Sequence, residues 1–87
     1  MPYITPNERK KFEPLLEKVD DELVNVGQLA YCCYRLAVGM KTEATWSHLS
    51  DIHKALIAAE REFYRKHLAP YEDAKITING DVIVGEL

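Results

Sequence analysis

No stretch of this 87-residue sequence approaches the ~20 consecutive apolar residues that a bilayer span needs, and no secretory leader pattern opens it. A membrane partner is therefore not expected. Cysteine is scarce: Cys32 and Cys33 are the only two, and being adjacent they cannot form a stapling framework. A reducing cytosol is the natural compartment. A basic excess is also lacking, with 11 Lys and Arg against 14 Asp and Glu for a net charge of −3, so a general nucleic-acid binder is excluded. There is no repeat, no low-complexity stretch and no Ser/Gly linker, and residues 1–87 read as one domain. What is present is ordinary globular material, 47% apolar and 29% charged, which excludes wholesale disorder. At this length a single core is thin, and such chains often lean on a partner subunit.

The hydrophobic spacing predicts three main helices, at about 6–25, 28–40 and 46–68, followed by a tail over 70–87. Thr5-Pro6-Asn7-Glu8 is a capping box with proline at the first helical position. Leu15, Leu16, Val19, Leu23 and Val24 then repeat at helical spacing, and Pro14 kinks this first helix or divides it. The second segment carries one charged side chain, Arg35, between two apolar stripes. Leu29, Cys32, Leu36 and Met40 form one stripe, and Tyr31, Tyr34 and Val38 the other. A helix apolar nearly all round is buried from several sides, and one neighbouring helix cannot cover both stripes. The expectation is a mainly α, small helical bundle that self-associates as a homo-oligomer. In the third segment Leu49, Ile52, Leu56, Ala59 and Phe63 hold a steady stripe, and Ala69-Pro70 ends or bends the helix.

Two readings of the tail stay open. Lys75 to Val84 alternates β-branched residues around Asn79-Gly80, the signature of a short C-terminal β-hairpin. Alternatively, Pro70 starts further helical turns that Asn79-Gly80 stops.

Several segments together resemble a family of short uncharacterised proteins found in bacteria and tailed phages. They are the Met1-Pro2-Tyr3-Ile4 start, Gly27-x-Leu29-x-Tyr31 with Arg35-Leu36, and Glu62-Phe63-Tyr64-Arg65. Pro70-Tyr71-Glu72-Asp73-x-Lys75-Ile76 and Asn79-Gly80-Asp81-Val82 complete the match. The resemblance spans nearly the whole chain and implies no activity or cofactor. The adjacent cysteines and Ile76-Thr77-Ile78 depart from its pattern.

Catalytic constellations are missing. His53, Glu60 and His67 share a helical face, but seven residues of helix rise about 10.5 Å, too far for one ion. Neither a zinc spacing nor a phosphate loop nor a serine elbow occurs. Cys32 and Cys33 lie in an apolar helix, where a thiol keeps its proton and serves as a small hydrophobe. Arg35 stands out: a guanidinium inside an apolar helix must snorkel, pair with a carboxylate, or face a ligand phosphate. Arg61 and Arg65 beside Tyr64 are a solvated face or a second basic-aromatic group. Glu72 and Asp73 beyond Tyr71 cap a helical turn or bind.

Two functions are expected from these residues, neither enzymatic and neither needing a cofactor. One is a ligand-binding module using Tyr31, Arg35, Tyr64, Arg65, Tyr71 and Asp73, with arginine forking onto phosphate and tyrosine stacking on a ring. Given the resemblance, its concrete form is a counter-defence sponge, an oligomer that sequesters a nucleotide signal. The other is a protein-interaction or structural accessory module acting through the apolar helix and the tail.

Overall fold

A computed structural model describes residues 2–82. It is mainly helical: α1 (Pro6–Glu22), α2 (Val26–Val38), α3 (Trp46–Phe63), a π-helical segment (Tyr64–Leu68) and α4 (Ala69–Asn79), with no strand among the described residues. Each start follows from a side chain. Thr5 Oγ1 accepts from the Glu8 N–H at 3.3 Å while the Glu8 carboxylate accepts from the Thr5 N–H, the reciprocal box expected of that sequence. Asn25 Oδ1 accepts from the Gln28 N–H at 2.8 Å, and Gln28 Oε1 accepts from the Val24 N–H at 2.7 Å. This second cap fixes the sharp turn between α1 and α2, so α1 stops at Glu22 and α2 starts at Val26, before Gly27. Thr45 caps α3 through the His48 N–H. Helix α1 passes through Pro14 as one element.

Pro70 does not end the third helical run. Proline lacks an N–H, and its ring collides with the carbonyl four residues back, here that of Lys66. The chain widens instead: Ala69 N–H bonds to Tyr64 O, five residues back, and helix resumes as α4 with Pro70 in its first turn. The hairpin reading fails over its first arm, because Lys75–Asn79 are helical. An Asn-Gly hairpin turn needs positive φ at both residues. Only Gly80 has it, at φ 83°, and there the helix ends with its N–H on Ile76 O. Thr77 settles into the helix by donating its hydroxyl to Asp73 O. Of the second arm, Asp81 and Val82 form no strand, and the rest, from residue 83 on, lies outside the described residues.

The described residues form no core. None of the described residues is buried; a few, among them Leu23, Cys32, Ala37, Ile52, Ile57 and Ala58, reach only half-burial. Only α2 and α3 pack against each other among helices distant in sequence, and α1 packs against neither. The radius of gyration is 17.5 Å, where a compact chain of this length has about 12 Å. The expected burial of α2 from several sides is thus not met within one chain: Leu36 is 68% exposed and Tyr34 70%.

Candidate functional site

Two apolar grooves flank α2. The wider one, of about 730 Å³, lies between α1 and α2, with Phe12, Leu15, Leu16 and Val19 on one wall and Tyr31, Cys32 and Leu36 on the other. The narrower one, of about 380 Å³, lies between α2 and α3, where Cys33, Leu36, Ala37 and Met40 face Ile52, Ala55 and Leu56. The adjacent cysteines therefore point to different grooves, Cys32 half-buried and Cys33 exposed, and neither is the fully buried hydrophobe expected of it. Leu36 belongs to both walls because it sits on the ridge of α2 between them.

Of the six candidate ligand residues, Tyr31 and Arg35 share the wider groove, one helical turn apart. Arg35 is exposed and has no carboxylate partner among the described residues. It occupies the last turn of α2 and its Nη1 covers Gly39, so close that a Cβ there would stand 2.9 Å away. The guanidinium thus lies over the negative end of its own helix, a favourable place for a cation.

Tyr64, Arg65, Tyr71 and Asp73 are elsewhere, on the π segment and α4, and line neither groove. Two of them have engaged polar side chains, Arg65 and Tyr64. Arg65 pairs with Glu62, Tyr64 donates to Glu72 at 3.3 Å, and Lys75 stands over the Tyr71 ring at 5.6 Å. The Asp73 carbonyl receives Thr77. The charge of Glu72 pushes the Tyr64 phenol up from its ordinary range, and the hydrogen bond that Arg65 donates to Glu62 raises Arg65. The six residues are therefore two groups rather than one pocket.

Tyr3 and Glu62 had no sequence signal linking them. Tyr3 Oη donates to Glu62 at 2.8 Å, and Lys66 Nζ stands 4.8 Å over the Tyr3 ring. Arg65 and then Tyr3, both donating to the Glu62 carboxyl, hold it at about 2. This cluster ties the segment before α1 to the end of α3 and leaves α1 standing clear beside the wide groove.

No helix of the described residues is long and apolar enough to cross a membrane. The chain belongs to a family described as a domain of unknown function (DUF6899), whose model matches residues 1–82. No curated protein and no solved structure matches it.

Proposed function

We propose that this family member is a non-enzymatic assembly subunit, a helical protomer that closes its apolar faces by self-association in the cytosol. It acts through the interfaces so formed, as a protein-interaction or structural accessory. One observation carries the reading. The chain exposes 8215 Å², whereas a folded monomer of its mass exposes about 5,200 Å². The surplus of about 3,000 Å² per copy, roughly 6,000 Å² for a pair, lies at the upper end of obligate interfaces, which bury about 2,000–5,000 Å² or more in total. Part of it is contiguous apolar groove wall that meets at Leu36.

The test couples folding to concentration. Sedimentation velocity should find a defined oligomer at micromolar concentration. On dilution the helical circular dichroism should fade together with the oligomer, and the melting midpoint should rise with protein concentration. A monomer that melts cooperatively at nanomolar concentration overturns the reading.

A specific observation favours a second reading, capture of a phosphate-bearing nucleotide. Tyr31 and Arg35 lie together in the wider groove, and Arg35 has no carboxylate to neutralise it among the described residues. A phage-encoded sponge for a nucleotide signal is its concrete form. Thermal shift against cyclic nucleotides and ADP-ribose tests it directly. No change at high micromolar ligand removes this reading and leaves the first intact.

A further inference from the structure

Helix α1 is divided by charge. Its first half carries Arg9, Lys10 and Lys11 with Glu8 and Glu13, a slight basic excess; its second carries Glu17, Asp20, Asp21 and Glu22 against a single Lys18, a clear acidic one. None of these charges has an ion-pair partner among the described residues. Between the halves runs the stripe Phe12, Leu15, Leu16 and Val19, exposed by 40–56%, and α1 packs against no other helix of its own chain. At 3.6 residues per turn, Arg9 and Asp20 fall on one side of the stripe and Lys11 and Glu22 on the other. Pro14 falls on the far face, out of the way of a neighbour.

Resting on the self-association proposed above, we infer that the seam is α1 against α1 of a second copy, antiparallel, about a two-fold axis passing between Leu15 and Leu16. In that arrangement Phe12 meets Val19 of the second copy. Arg9 comes beside Asp20 of the second copy and Lys11 beside its Glu22, each within two residues of equal height, about 3 Å along the axis. Symmetry doubles every contact. A parallel pairing sets basic half against basic half and acidic half against acidic half. Arg9 donates only its Nε to Ile4 O, at 3.1 Å, which leaves the rest of the guanidinium free to pair. Each α1 also lies against the Tyr31 and Leu36 wall of the other copy's groove, so one helix covers two apolar surfaces.

The experiment uses the full chain in three forms: native, Arg9→Glu with Lys11→Glu, and Asp20→Lys with Glu22→Lys. Each variant alone should dissociate at least tenfold more readily than the native oligomer in low salt, and an equimolar mixture should recover assembly as a heterodimer. The mixture remains the readout even if neither variant folds by itself. Carbodiimide cross-linking of mixed 14N and 15N native copies should join Lys11 of one copy to Glu22 of the other. Variants that assemble as well as the native chain overturn the seam, as do inter-copy links from Lys11 to Glu8 or Glu13. With the native chain still oligomeric, either result leaves self-association standing. A monomeric native chain defeats both.

Discussion

Tyr3 and Glu62 are 59 residues apart in the chain, and a 2.8 Å hydrogen bond joins them. Because Arg65 and Lys66 close on the same carboxylate, the N-terminal segment is held to the end of α3 by a charged group rather than by buried surface. Such a latch has a defined pH dependence. The carboxyl is depressed from 4.5 to about 2, so the ionised form is the one the fold favours. Its stabilising contribution is complete above the unfolded value of 4.5 and is lost as pH falls through about 2. Thermal midpoints measured from pH 6 to pH 2 should decline below about 4.5, and Glu62→Gln should flatten that decline. An equal slope in both proteins would show that the carboxylate is not latched.

The helical starts were legible because they are written in short polar signals. Thr5 with Glu8 and Thr45 before Trp46 each satisfy backbone donors locally, whatever the rest of the chain does. The Asn25 cap is equally readable as Asn-x-x-Gln, yet the start expected at residue 28 lies two residues past the observed one. The tail misled for a physical reason: alternation of β-branched residues describes a surface that fits a sheet, and no sheet is available to receive it. Pro70 fits the first turn of α4, Glu72 accepts from Tyr64 and the Thr77 hydroxyl donates to Asp73 O, and local satisfaction decided the outcome. The Tyr3–Glu62 contact and the separation of Tyr31 from Tyr64 depend on how distant helices lie in space. No spacing rule carries that information.

Asn25→Ala should lower stability by about 1 kcal/mol, the usual cost of a lost N-cap. It removes the acceptor for Gln28 N–H at the one turn that separates α1 from α2. Urea denaturation at fixed protein concentration measures it. Amide exchange should locate the loss at the start of α2 rather than along α3.

Pro70→Ala restores the missing donor, and with it the reason for the wide turn disappears. Ala69 N–H should shift from Tyr64 O to Arg65 O, an ordinary four-residue bond, turning α4 relative to α3. Tyr64 then loses its hydrogen bond to Glu72, and its phenol should titrate lower than in the native chain. Carbon-13 tyrosine spectra follow this directly. An unchanged Tyr64 titration would mean that something other than proline holds the π segment.

Arg35→Ala distinguishes a helix-end cation from a ligand site. If the guanidinium only complements the end of α2, the substitution costs about 0.3–1 kcal/mol and leaves assembly intact. If it serves a phosphate, any nucleotide-induced rise in the melting midpoint should vanish in the variant while the unliganded midpoint hardly moves. Collapse of the fold fits neither and would show that Arg35 is paired across an interface.

Exposure by itself does not mark a residue as interfacial, and two side chains separate the possibilities. Trp46 is 83% exposed and lines neither groove; Leu36 is 68% exposed and lines both. If the grooves are filled on assembly, Leu36→Asp places a charge where two apolar surfaces close, and desolvating an unpaired carboxylate costs several kcal/mol. That variant should sediment as a poorly folded monomer. Trp46→Ala should keep the native oligomer and change stability by no more than about 0.5 kcal/mol. If instead any large exposed hydrophobe drives association nonspecifically, the tryptophan change should weaken it at least as much. The contrast between the two variants therefore tests the grooves themselves, independently of which helix of the second copy enters them.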